Sequence, residues 1–124
     1  PEAELVILDA PPGTSCPVIE TVRGSDLVLL VTEPTPFGLY DLKLAVEMVQ
    51  ALELRLAVVI NRSDAGDDRV RRWCQRRRIA ILAELPDDRA VAVAYSRGQL
   101  ASEAVPGFAE RMRRLLSGLE AVVR

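Results

Sequence analysis

Leu5-Val6-Ile7-Leu8-Asp9-Ala10-Pro11-Pro12-Gly13-Thr14 carries the most telling pattern in the sequence: four apolar residues in a row, one carboxylate, then a Pro-Pro-Gly turn. An unbroken apolar run of this length predicts a strand buried on both faces, as in a parallel sheet. Asp9 then stands at the carboxyl end of that strand, where open α/β sheets bind their ligands. Pro11 and Pro12 keep the exit extended and stiff. Gly13, lacking a Cβ, lets the backbone approach another group closely. Two uses suit such a turn. One is an acid for a hydrated Mg²⁺ beside a bare N–H for a phosphate oxygen; the other is a plain strand-to-helix turn whose Asp bonds local N–H groups.

Downstream, the same alternation repeats. Thr14 or Ser15 is placed to cap a short helix with Pro17 in its first turn, Val18, Ile19 and Val22 facing inward and Gly24 as the stop. Leu27–Thr32 is a second apolar strand, and the proline-rich Glu33–Gly38 reads as a loop. Leu42, Ala45, Val46, Val49 and Leu52 predict a helix over Tyr40–Glu53. Leu56–Asn61 is a third buried strand, so this strand–helix–strand unit calls for a parallel pair. Asp67 or Asp68 caps a helix through Val70, Trp73 and Cys74, and Ile79–Leu85 is a fourth strand. Asp87 then caps a helix over Asp88–Ser96, closed by Gly98. The last helix follows Pro106-Gly107, with Phe108, Met112, Leu115, Leu116, Leu119 and Val123 on one face. The expected fold is a single α/β domain over residues 1–124, a layered, mostly parallel sheet with flanking helices. Asp9, Thr32, Asn61 and Pro86 all fall on one edge of that sheet.

Composition narrows the chemistry. At 124 residues the chain is large enough to bury roughly two-thirds of its unfolded surface. Aromatics are 4% of residues, so the core must be aliphatic. A net charge of −2 argues against broad nucleic-acid binding. The arginine run Arg69, Arg71, Arg72, Arg76, Arg77, Arg78 reads accordingly as a solvated helix face. With no histidine at all, Ser-His-Asp and Zn-His chemistry within this chain are excluded. Cys16 and Cys74 lack metal-ligand spacing. Cys74 shares an apolar helix face with Val70 and Trp73 and reads as an inert buried thiol; Cys16 lies near a helix start, where a thiol pKa can fall, but a structural role is the expectation for it. No apolar run reaches the ~20 residues of a membrane span and no signal peptide is visible, which points to the cytoplasm.

Asp9-Ala10-Pro11-Pro12-Gly13-Thr14, Val59-Ile60-Asn61-Arg62 and Leu85-Pro86-Asp87-Asp88, in this order and at these strand ends, resemble the MinD/ParA/Mrp superfamily of P-loop ATPases. Gly13-Thr14-Ser15-Cys16-Pro17 and Thr32-Glu33-Pro34-Thr35-Pro36-Phe37-Gly38 look closest to the branch that carries an inserted ferredoxin domain. The resemblance runs from about Leu5 to about Leu116. It implies a partial P-loop NTPase fold, ATP and Mg²⁺ as ligands, and Asp9 as the catalytic acid that holds Mg²⁺ through water. It also implies that Gly13 offers its N–H toward the γ-phosphate, that Asn61 bonds the adenine edge with Arg62 beside the ring, and that Pro86 and Asp87 line the other side of the base. From the residues alone, Asn61 reads equally as a turn former and Asp87 as a helix cap.

One hallmark is absent. Nothing matches GxxxxGK[ST], since the sole lysine, Lys43, lies between Leu42 and Leu44, and there is no ferredoxin-type cysteine run. The chain therefore reads as the carboxyl-terminal half of a nucleotide-binding domain, with the P-loop half and any iron–sulfur insert upstream. Phosphoryl transfer depends on positioning and charge stabilisation, so this chain alone is expected to be inactive. The expected partners are the other half of the domain, a second copy in a homodimer, or an iron–sulfur protein. Without the P-loop strand, Leu5–Asp9 and Leu27–Thr32 are expected to pair directly, or a second copy to cover the exposed edge. The alternative reading is a nucleotide-free α/β interaction module. A receiver-like domain fails for want of an acidic pair on the first strand, and a flavodoxin-like one has too short a turn for FMN.

Overall fold

In the computed structural model, which describes residues 4–123, the elements run α1 (Cys16–Val22), β1 (Val28–Thr32), α2 (Pro36–Ala51), β2 (Leu56–Asn61), α3 (Arg69–Arg77), β3 (Ile81–Leu85), α4 (Arg89–Ser96), α5 (Ala101–Ala104) and α6 (Phe108–Val123). The fold is α/β, a parallel sheet flanked by helices, with strand order β1-β2-β3 among the described residues. β2 takes the centre because it is apolar toward both layers: Ala57, Val58, Val59 and Ile60 are all buried. Parallel strands covered on both faces read as such continuous runs. The β2–β3 register slips once, between Val58 and Val59.

On one face, Leu42 and Val46 of α2 and Val70, Trp73 and Cys74 of α3 close over Val58 and Ile60. Beside them Val18 and Val22 of α1 meet Val28 and Val49. The layer around α6 is looser. α6 packs against β3 and α5, yet none of its residues is fully buried, so the predicted apolar face is only half covered.

The largest correction falls on the opening stretch. Leu5–Leu8 forms no strand among the described residues: Leu5, Val6, Ile7 and Leu8 are 52%, 49%, 80% and 59% exposed. The expected direct pairing with β1 does not form, and β1 is an edge strand whose far side carries no ladder. Apolarity predisposes a segment to the strand state, but a strand also needs a neighbour for its N–H and C=O groups. No described segment supplies one here. Ala10, at the end of the run, does pack against the cluster around Val18 and Val28.

Smaller differences trace to caps. α2 begins at Pro36, inside the expected loop, because Thr35 caps it by accepting the Gly38 N–H at 3.0 Å while Pro36 takes a first-turn position that needs no donor. α4 is capped by Asp88, whose carboxylate accepts the Ala90 N–H at 2.9 Å, and not by Asp87. α5 has no counterpart in the sequence pattern, because a single turn is too short to show a periodicity.

Candidate functional site

The exits of three parallel strands meet on one rim. β1 ends at Thr32 and leads into Glu33, β2 ends at Asn61 and leads into Arg62, and β3 ends at Leu85 and leads into Pro86 and Asp87. Backbone bonds lace these exits together. The Ser63 N–H donates to the Leu85 carbonyl at 2.9 Å, and the Asp67 N–H to the Pro34 carbonyl at 3.1 Å. Thr32 Oγ1 donates to the Gly38 carbonyl at 3.1 Å, tying β1 to the first turn of α2.

Arg62 stands at the middle of the rim with φ +51°, a left-handed conformation unusual for an arginine. Its guanidinium lies 3.7 Å from Glu33 Oε1 and 3.6 Å from Asp87 Oδ2, so one cation spans the neighbouring exits. Both contacts are long and about half exposed, which makes them orienting and not strongly stabilising. Asn61 Oδ1 accepts the Arg62 N–H at 3.0 Å.

Of the residues singled out from the sequence, Asn61, Arg62, Pro86 and Asp87 are brought together here, all exposed. Asp9 and Gly13 are not joined to them by any hydrogen bond or ion pair among the described residues. Asp9 is exposed and lies on the stretch that forms no strand. Gly13 has φ +96° and nothing within 4 Å of where a Cβ would stand, so its glycine serves the turn and not a close approach within this chain.

Sequence reasoning passed over Asp64 and Glu33. Asp64 Oδ1 accepts the Asp87 N–H at 2.7 Å, and that bond, with the residue's own N–H and the Arg62 charge, holds the carboxyl below its usual range against a smaller opposing desolvation. Nothing local in the sequence marks this bond, because the partner is 23 residues away.

Four of the six arginines in the run beyond the rim are engaged with the chain's own groups. Arg69 pairs with Asp67, Arg72 with Asp68 and Arg71 with Glu84, and the Arg77 guanidinium sits 5.3 Å from the Trp73 ring centre. Two grooves lie away from the rim: one lined by Ser25, Asp26, Glu53 and Arg55 at the amino ends of the strands, one by Arg71, Gln75, Ile81 and Glu84 beside β3.

The two thiols differ as their surroundings dictate. Cys16 is exposed, whereas burial pushes the Cys74 thiol up to about 11. A maleimide at neutral pH should therefore label Cys16 alone in the folded chain, and both cysteines in denaturant. Mass spectrometry counts the adducts; a second adduct in the folded state would contradict the sealed core around α3.

These features define a layered α/β protein with a polar rim at the carboxyl ends of its parallel strands. No protein-family model matches the chain. It is similar to uncharacterized protein MJ0579 of Methanocaldococcus jannaschii, at 32% identity over 77% of this chain and 32% of that protein. It is also similar to uncharacterized protein MJ0578 of the same organism, at 38% identity over 49% of this chain and 22% of that protein. The matched region thus spans a third or less of either relative.

Proposed function

We propose that residues 1–124 form the carboxyl-terminal part of a nucleotide-binding domain of the MinD/ParA/Mrp kind, with ATP binding and hydrolysis belonging to a longer cytoplasmic polypeptide. The observation that carries this reading is the rim itself. Asn61-Arg62 and Pro86-Asp87 stand side by side at the carboxyl ends of adjacent parallel strands, linked by the Arg62–Asp87 contact at 3.6 Å. Ligands of open α/β sheets lie at that edge. In this reading Asn61 and Pro86 flank the base, with the Arg62 guanidinium beside the ring.

The phosphate and metal end is different. Among the described residues no group of three or more His, Cys, Asp or Glu side chains is gathered as a metal site, and Asp9 stands alone and exposed. A single carboxylate of this kind would hold Mg²⁺ only through water and together with phosphate oxygens. Asp9 and Gly13 would act only beside a Gly-Lys-Thr loop carried on further polypeptide, whose strand would also pair the open edge of β1. Coupling to an iron–sulfur partner follows from the ferredoxin-branch wording around Cys16 and remains part of the proposal.

Calorimetry tests it. The 124-residue chain alone should show no tight binding of ATP–Mg²⁺, while the full-length polypeptide binds it. A micromolar dissociation constant for the short chain, or none for the full-length protein, overturns the reading.

The second reading is a nucleotide-free interaction module, and exposed apolar surface favours it. Phe37, Tyr40 and Leu44, spaced along the outer side of α2, are 85%, 64% and 40% exposed, and Leu5–Leu8 is uncovered. No helix among the described residues is long and apolar enough to cross a membrane.

A further inference from the structure

Pro86 has no N–H to donate, and the segment leaving β3 is fastened on either side of that residue. Both fastenings come from the exit of β2. Ser63 donates its N–H to the Leu85 carbonyl at 2.9 Å, and Asp64 Oδ1 accepts the Asp87 N–H at 2.7 Å. The first merely continues the β2–β3 ladder beyond the Asn61–Leu85 pair. The second is a short, charge-assisted bond made by a side chain, and bonds of this kind are about twice as strong as neutral ones. The Arg62–Asp87 contact cannot replace it, because at 3.6 Å and half exposed it constrains little.

We infer that Asp64 is a positioning residue: it sets Pro86 and Asp87 as a wall facing Asn61, and through that wall governs affinity for the purine base. The inference rests on the nucleotide-site reading above. Asp64 acts on the base slot without a part in phosphate chemistry, so its removal should weaken binding and leave turnover alone. It also separates two acids that look alike in sequence. Asp87 forms the wall, and Asp64 holds it in place.

The test uses the full-length polypeptide with ATP and GTP as probes, comparing Asp64→Ala with Asp64→Asn, which keeps an oxygen acceptor at the same place. Asp64 and Asp87 are both exposed, so loss of this charge-assisted bond, discounted for solvent, corresponds to about threefold to tenfold, and Asp64→Ala should raise the KM for ATP by that factor and narrow the preference for ATP over GTP. The kcat should stay within about twofold, and Asp64→Asn should recover most of the affinity. Amide exchange at Asp87, followed without nucleotide, should quicken in Asp64→Ala. An Asp64→Ala protein with unaltered KM, base preference and Asp87 exchange overturns the inference. Faster exchange at Asp87 in a polypeptide that never bound ATP instead overturns the nucleotide reading, and the inference falls with it.

Discussion

Trp73→Ala lowers the stability of the domain by about 4 kcal/mol, the largest single-residue effect expected in this chain. Trp73 is 6% exposed and sits in the cluster formed by Leu42, Val46, Val58, Ile60, Val70 and Cys74. It is the only tryptophan in a chain whose core is otherwise aliphatic. Truncation there removes the contact surface of a whole ring and leaves a hole between α2, α3 and β2 that small aliphatic neighbours cannot close. Native domains have only about 5–15 kcal/mol in hand, so the thermal midpoint should drop by more than 10 °C, on the order expected for this chain length. Circular dichroism melts give the number directly. Tyr95→Ala is the control, since Tyr95 is 86% exposed and its loss should leave the midpoint nearly unchanged. A drop of only a few degrees in Trp73→Ala would show that α3 is not the clamp on this face of the sheet.

Gly66→Ala should cost about 3 kcal/mol, at the upper end for overpacking, and should act on the rim itself. A Cβ at Gly66 would overlap the Pro34 carbonyl oxygen and lie 2.8 Å from its carbonyl carbon. Neither atom can swing aside as the end of a flexible side chain would, because Pro34 is buried and its oxygen accepts the Asp67 N–H at 3.1 Å. The loop after β2 would have to lift from the exit of β1, breaking that bond and drawing Arg62 away from Glu33. Faster amide exchange at Asp67, together with a midpoint lowered by roughly 10 °C, is the expected result. Wild-type exchange at Asp67 would mean that the close approach of Gly66 to Pro34 does not hold in solution. Substitution of this loop glycine thus probes how β1 and β2 present their exits together.

These two residues illustrate how differently the core and the rim were written into the chain. Val70, Trp73 and Cys74 recur at helical spacing, so α3 and its buried face could be read without coordinates. β2 was legible from a different signal, an unbroken apolar run between polar flanks that marks its bounds Leu56–Asn61. The placement of Asn61, Arg62, Pro86 and Asp87 at one edge followed from strand direction alone, because parallel strands send all their carboxyl ends the same way. The close approach of Gly66 to Pro34 left no local trace. Neither did the Asp64–Asp87 bond or the Glu33–Arg62 pair, since each joins residues whose spacing carries no period.

Order along the chain, the apolar spacing of helices and strands, and the absence of histidine and of a phosphate-loop lysine motif were determined by the amino-acid sequence alone, because each is a property of neighbours in the chain. Whether an apolar run becomes a strand was decided only by tertiary structure. Leu27–Thr32 and Leu5–Leu8 look alike as text, yet Val28–Thr32 pairs with β2 while Leu5–Leu8 stays exposed and unpaired among the described residues. The difference is a hydrogen-bonding neighbour, which no residue within the run can provide for itself.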